Sequence, residues 1–465
     1  MTFTAFTMFL VFSTFSQSSS RSAGGYTPSG EASMNVNRLG TITIMFTTIL
    51  FFLSMDIVSM SPGMTLFNNW FNMTPYNLPL TFLMLFLVMM LLMYNTSNHR
   101  YDLKSPYYYL LLLTNMMGLL LFPLVNDLMA LYVVMELQSY SLYLLTGLHN
   151  RSYNSSRASL LYFLMGSVAS TIMLLSSYFV YALTGTTNLS DMAMFYSYSN
   201  AFDYFDMLLI ALLFKMGMAP LHRWSIAVYN YAPTYITAYI SMVAKMSMVS
   251  WMFANANLFH HHMTILFFYM SLIMAAYKPL FQVNMKTILA YSGMLNFSYM
   301  LLSMMSYDPA FYMYMMQYVL THLILFLGIL GASQYINTPI SMWSPLTFMH
   351  QLKLPNLTLA FCLILAFFSL MGMPPTPGFY AKLFVLSAAL QDNYVLETCA
   401  IVVCSVVATY YYANIIKVLF NSSTQKITNF VNPSLAFSIA SATSLLFSFF
   451  MFMPSLSEGL YLIIL

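Results

Sequence analysis

Apolar runs of roughly twenty residues, separated by short polar or Pro-, Gly- and Asn-containing breaks, recur along nearly the whole chain. A bilayer core takes ~20 apolar residues per helix, so each run is a candidate span. Fourteen follow, at 1–16, 41–60, 78–95, 106–124, 127–148, 158–183, 205–222, 233–256, 263–281, 286–305, 309–332, 356–391, 394–420 and 433–453. The first is short and Thr-rich and precedes a Ser/Gly-rich stretch from Gln17 to Gly30, which would also suit a signal peptide. It lacks a positive n-region, which favours a retained helix. Most connections are shorter than a dozen residues, and 17–40 is the longest, leaving no room for a separate soluble domain. The pattern predicts an all-α integral membrane protein of about 14 transmembrane helices.

Composition removes the competing classes. Of 465 residues, 15 are Lys or Arg and 12 are Asp or Glu, while 60% are hydrophobic. A soluble chain of this length would carry about 115 charged residues. That excludes a soluble enzyme, a disordered chain and a nucleic-acid binder, which needs a basic face. Cys362, Cys399 and Cys404 lie in apolar stretches without C-x-x-C spacing, and no glycine-rich nucleotide motif occurs. Neither an iron–sulfur cluster nor a nucleotide site is expected.

The charges also divide by side. Loops after odd-numbered spans hold Arg21, Arg38, Arg100, Lys104, Arg151, Arg157, Arg223, Lys278, Lys286, Lys353, Lys417 and Lys426, which is 12 of the 15 basic residues. The opposite side, with both termini, holds none. Nine acids (Asp56, Asp127, Asp191, Asp203, Asp206, Asp308, Asp392, Glu397 and Glu458) fall at or beyond that opposite edge, while Glu31 and Asp102 join the basic side. The positive-inside rule then places both termini outside. Cysteines introduced at Ser155 and Ser199 are the pair chosen to read that orientation.

Four charges remain, and each sits well inside an apolar segment: Glu136, Lys215, Lys245 and Lys382. Four charges at helix centres cost on the order of 10 kcal/mol on insertion scales. Snorkelling lysines or a glutamate gluing two helices would explain one of them. Three lysines and one acid at similar depth on four helices read better as a proton path. Lysine and glutamate exchange protons and respond strongly to burial and neighbouring charge, whereas arginine does not release its proton. Glu136 and Lys215 are the opposite charges expected to meet directly. Lys215 precedes Gly217 and Pro220, and Lys382 follows Gly372, Pro374, Pro375 and Gly378. Lysines beside helix breaks in two halves point to inverted repeats with a mid-membrane site. The predicted organisation is helices 1–3 at 1–105, a first inverted five-helix repeat at 106–256, a second at 257–420, and a last helix at 421–465. Spans 7 and 12 are broken.

The same blocks carry a resemblance. FKMGMAPLHRWSIAVYNYAPTYITAYISMVAKMSMV at 214–249 resembles the span 7–8 block of the antiporter-like, proton-translocating subunits of NADH:ubiquinone oxidoreductase, respiratory complex I. NDLMALYVVMELQS, ASLLYFLMGSVAS, TGTTNLSDM, QVNMKTILAYSGMLNFSYM, SLMGMPPTPGFYAKLFV and YYYANIIKVLF follow in the family's order. The resemblance covers about Asn37 to the C-terminus. It implies that Glu136, Lys215, Lys245 and Lys382 are the family's proton-path residues. It also implies that this chain carries no electrons, with FMN, iron–sulfur clusters and quinone held by other subunits. Neighbouring antiporter-like membrane-arm subunits are the implied partners, and a bound phospholipid is the one further companion. The implied location is the mitochondrial inner membrane, with the termini in the intermembrane space. The 44 methionines and 16 glycines resemble the product of an AT-rich mitochondrial genome. Leu161, Ala227 and Asn296 replace a lysine, an aspartate and a histidine common in the family, so the path is not extended through them. A standalone cation/proton antiporter and a structural scaffold are the competing readings.

Weaker candidates are histidines and tyrosines. His322 in span 11 lies between the lysine-bearing halves and is a candidate bridge from Lys245 to Lys382. His222, after the Pro220 break, reads as a structural cap. His260, His261 and His262 resemble a metal tract, but successive helical residues point about 100° apart. Tyr410, Tyr411 and Tyr412 read as packing or an interfacial aromatic belt.

Overall fold

The computed structural model describes residues 30–56, 65–73, 77–95, 107–148, 152–195, 202–335, 348–421 and 431–464. The span expected at 1–16 lies outside them. Helices α1 (Gly30–Asp56), α2 (Asn77–Asn95), α3 (Tyr107–Leu121), α4 (Leu128–Gly147) and α5 (Tyr153–Thr184) open the fold. A short α6 (Leu189–Phe195), α7 (Phe202–Met216) and α8 (Arg223–Tyr231) lead to α9 (Thr234–Tyr239), which runs through a π-helical turn at Ile240–Ala244 into α10 (Lys245–Ala254). There follow α11 (His261–Tyr277), α12 (Met285–Met305), α13 (Ala310–Ala332), α14 (Leu357–Met371), α15 (Pro377–Gln391), α16 (Val395–Phe420) and α17 (Pro433–Ile464). Eight helices among the described residues are long and apolar enough to cross a bilayer.

Local chemistry explains the ends. The Asp127 carboxylate caps α4, accepting from the Met129 N–H at 2.8 Å and from the Thr187 hydroxyl at 2.8 Å. Asn356 caps α14 in the same way. Gly185 closes α5 at φ +71°, where a side chain would be strained. Between the caps, packing sorts the helices. The apolar windows of α9–α10 and α12 are wholly buried and that of α13 is 89% buried, against 28% in α5 and 33% in α16. α9–α10, α12 and α13 form the centre, and α5 and α16 face outward.

Three features depart from the sequence pattern. Helix α1 begins at Gly30, eleven residues before the expected start at 41. The expected span 205–222 ends at Met216, and a further helix, α8, occupies RWSIAVYNY, which had read as a loop. A two-stranded hairpin, β1 (Thr65–Leu66) with β2 (Phe71–Asn72), had no expectation at all.

Asp127 bridges to Asn188, Asp206 accepts from the His260 N–H at 3.1 Å, and Glu397 accepts from the Tyr269 hydroxyl at 3.2 Å. At opposite helix ends Arg157, Arg223, Lys278, Lys353 and Lys417 are exposed. Lys286 corrects the expectation of a loop charge at the membrane edge: it is 4% exposed and bonded into the core. Arg21, Arg100, Asp102, Lys104, Arg151 and Lys426 lie outside the described residues, as do the side chains of Glu31, Arg38, Asp56 and Asp203.

Candidate functional site

Two interrupted helices position two of the four charges. α7 ends one residue after Lys215, and α14 ends at Met371, before the half-helix that carries Lys382. Gly217 at φ +73° and Gly372 at φ +81° make the breaks, and both read Gly-Met-x-Pro. A Cβ at Gly372 would also stand 3.0 Å from Lys382 Cδ, so the glycine leaves room for the lysine stem.

Glu136 and Lys215 meet. Nζ of Lys215 lies 3.2 Å from Glu136 Oε1 and donates to Ser139 Oγ at 3.0 Å; the two side chains are 4% and 12% exposed. Glu136 and Ser139 are three apart on α4 and so share a face. Removing one member of a buried pair strands the other charge, at roughly 3–5 kcal/mol.

Lys245 has a different setting. It follows the π-helical turn at Ile240–Ala244, a widening of the kind that often marks functional sites. Gln138, two residues beyond Glu136, supports this turn: its Nε2 donates to the Ala244 carbonyl at 3.0 Å and to Ser247 Oγ at 3.3 Å. Asn115 in turn donates to the Gln138 carbonyl at 2.8 Å and accepts from the Tyr239 hydroxyl at 2.6 Å. The ammonium of Lys245 stands 4.9 Å from the Tyr229 ring centroid and 5.3 Å from that of Phe297. Aromatic faces hold a cation without fixing it to a counter-ion.

Lys382, partly buried, donates to the Leu370 and Met371 carbonyls at 2.7 and 3.0 Å. These are the last carbonyls of α14, where the helix dipole favours a cation. Its Nζ also lies 5.5 Å from the Tyr299 ring. Phe297 and Tyr299 are two residues apart on α12, so one helix contacts both lysines. Tyr299 stacks on Tyr314 at 4.9 Å, and the Tyr314 hydroxyl donates to Asn296 Oδ1 at 2.7 Å.

The histidines divide. His322 is fully buried, with Nδ1 3.2 Å from the Tyr318 carbonyl and its ring 4.1 Å from that of Tyr318. Its Nε2 has no hydrogen-bond partner. The ring beside the Lys382 ammonium is that of Tyr299, at 5.5 Å. His222 occupies the cap position of α8, yet its side chain makes no capping bond; it is buried 6.1 Å from the Tyr291 ring. His260 bonds Asp206 through its backbone, and His261 Nδ1 lies 3.4 Å from the Tyr394 hydroxyl. Tyr411 and Tyr412 are buried with rings 4.4 Å apart, while Tyr410 is exposed.

Ser139, Gln138, Asn115 and Tyr229 escaped the sequence reading. The signal for two of them was present in MELQS, a polar cluster inside the apolar run of α4.

Residues 125–409 match the family described as NADH:quinone oxidoreductase/Mrp antiporter, TM. The NADH-ubiquinone oxidoreductase chain 2 of Debaryomyces hansenii is 88% identical over 463 residues, covering 100% of both chains. That of Candida albicans is 49% identical, covering 92% of this chain and 91% of the relative. A chain in the structure of respiratory complex I from Thermus thermophilus with bound aureothin superposes at TM-score 0.80 and 21% identity, over 99% of each. One in the Mrp complex from Dietzia sp. DQ12-45-1b superposes at TM-score 0.76 and 18% identity, over 91% of each. These two share the fold. With a family match over more than half its length and full-length relatives at high identity, the chain belongs to the NADH:quinone oxidoreductase/Mrp antiporter family, among its NADH-ubiquinone oxidoreductase chain 2 members.

Proposed function

We propose that this chain is a proton-translocating membrane-arm subunit of an NADH:ubiquinone oxidoreductase, with one proton path along Glu136, Lys215, Lys245 and Lys382. It holds no redox centre; FMN, iron–sulfur clusters and quinone belong to other subunits. The observation that carries the reading is the set of environments those charges occupy. One lysine is ion-paired at 3.2 Å, one is held by aromatic faces, and one rests on the carbonyls of a helix end. Each environment accepts a cation while leaving it able to release a proton. Moving one charge across the membrane takes ~2.3 kcal/mol per 100 mV, within the range that making or breaking the Glu136–Lys215 pair supplies. His322 Nε2 and the Tyr229 hydroxyl are buried without protein partners, which suits water along the path. Lys245→Met in a fully assembled complex should lower the proton-to-electron ratio by this subunit's share. Pumping by that variant at the wild-type ratio would overturn the reading. The standalone antiporter is distinguished by whether the chain migrates with a large NADH-oxidising assembly on a native gel.

The two breaks support fourteen spans with inverted five-helix repeats at 106–256 and 257–420. Both read Gly-Met-x-Pro beside a lysine, which precedes the break in the first and follows it in the second. Glu136 and Lys382 are the less buried ends of the axis, where neighbouring antiporter-like subunits would dock. A phospholipid acyl chain suits the 650 Å³ apolar groove between the β1–β2 hairpin and α4, lined by Trp70, Leu121, Val133 and Leu137.

In the mitochondrial inner membrane, the basic helix ends face the matrix and the termini face the intermembrane space. Ser155 is buried and donates to the Thr146 carbonyl, and Ser199 lies outside the described residues, so other positions report this better. Ser156 and Gln391 are exposed at opposite ends of the fold. With the three native cysteines replaced, an impermeant thiol reagent added from outside should label Gln391→Cys and spare Ser156→Cys. The reverse pattern would invert the topology.

A further inference from the structure

A fifth lysine is buried, and the path above does not use it. Lys286 is the second residue of α12, 4% exposed, and its Nζ donates to the Ala232 carbonyl over 2.7 Å. Its own helix disfavours a cation there, because the N-terminal amides carry partial positive charge. The end of α8 favours one. Ala232 caps α8, with its N–H bonded to the Val228 carbonyl at 2.9 Å, and Pro233 then turns the chain into α9. The lysine therefore answers to α8 across the interface, not to the helix that carries it.

The residue one turn back on α8 is Tyr229, whose ring lies 4.9 Å from the ammonium of Lys245. The Tyr229 hydroxyl is buried without a protein hydrogen-bond partner, so no other side chain or carbonyl fixes the ring at its tip. Its place depends on the α8 backbone. The other ring on Lys245, Phe297, belongs to α12. The Lys286–Ala232 bond joins the two helices that supply the two rings. We propose that Lys286 is a positioning residue for Lys245: it ties the end of α8 to α12 and so keeps the Tyr229 and Phe297 rings both within reach of the ammonium. The inference rests on Lys245 being a proton carrier.

The test uses full-length Lys286→Met, Lys286→Arg, Tyr229→Leu and the Lys286→Met/Tyr229→Leu pair in the assembled complex, with assembly checked on native gels. Lys286→Met should lower quinone-dependent NADH oxidation and coupled pumping about three- to tenfold, the size of a lost cation–π contact. Lys286→Arg keeps a charged donor that does not release its proton, and should restore most of the rate. The pair should match Tyr229→Leu alone, because both changes remove one contact. Lys286→Arg as inactive as Lys286→Met would overturn the proposal, since proton exchange at 286 would then matter. Losses that multiply in the pair, or wild-type behaviour of Lys286→Met, would overturn it too. Should Lys286→Met not assemble, Lys286→Gln takes its place with the same expected order. Lys245→Met serves as the control: if it pumps normally the carrier reading itself fails, whatever Lys286 does.

Discussion

Lys215→Met is expected to abolish proton transfer through this chain and to slow NADH:ubiquinone turnover by about 10²–10⁴-fold, the usual worth of a positioned proton-transfer group. Methionine matches the stem of the lysine but leaves Glu136 facing no cation, where Nζ had stood 3.2 Å away. Glu136→Gln is milder, within roughly tenfold. The amide oxygen still accepts from the ammonium, and Ser139 Oγ remains at 3.0 Å, so the exchange is of a charge-assisted bond for a neutral one, about 1 kcal/mol. The double variant resembles Lys215→Met alone, because residues acting as one unit are strongly non-additive. Quinone-dependent NADH oxidation and proton uptake in sealed vesicles measure all three, once assembly is confirmed. An assembled Lys215→Met complex pumping at the wild-type ratio would remove Lys215 from the path. Independent, multiplying losses would dissolve the pair.

Gly378→Ala is expected to prevent assembly. Gly378 is the second residue of α15, and a Cβ there runs into the Ser369 carbonyl on α14 and stands 3.0 Å from Gln317 Nε2. That carbonyl cannot give way freely. It accepts from the Gly372 N–H at 3.1 Å and from Gln317 at 3.4 Å, and the next two carbonyls hold Lys382. Overpacking costs ~1–3 kcal/mol where side chains yield, and here the obstacle is backbone. A loss of about 2 kcal/mol already lowers the folded-to-unfolded ratio more than tenfold, and a backbone clash costs more than a yielding side chain, so the chain should be depleted from the assembled complex on native gels. Normal amounts of a pumping complex would show that the two half-helices separate without harm.

Glu136, Lys215, Lys245 and Lys382 were legible because a charge inside an apolar run carries a cost that the sequence exposes. Lys286 was hidden for the opposite reason. It sits at the edge of a span, among residues that are solvated elsewhere on that side, and its burial follows from where α8 ends. α8 itself was missed because nine residues reading RWSIAVYNY mix polar and apolar positions as a loop does. Gln138 and Asn115 carry no charge and so leave no comparable mark in an apolar run; Gln138 matters because it donates to the Ala244 carbonyl, and Asn115 because it donates to the Gln138 carbonyl. Tyr229 beside Lys245 is purely tertiary, sixteen residues away and on another helix. His322 lies buried in α13, whereas Tyr299 beside Lys382 is again a tertiary contact with no signal in the sequence.

The π-helical turn at Ile240–Ala244 makes the site sensitive to length as well as to composition. Each residue advances an α-helix by about 100°, so one extra residue in a single turn rotates everything after it by about that much. Lys245 faces its two rings, Ser247 meets Gln138, and Trp251 reaches the Val125 carbonyl at 2.9 Å, all in the phase set by that insertion. Substitutions between 240 and 244 leave the phase intact. Loss of one residue there would turn the ammonium toward a different neighbour while every side chain of the path stayed in the chain, so an inventory of its charged residues would still look complete.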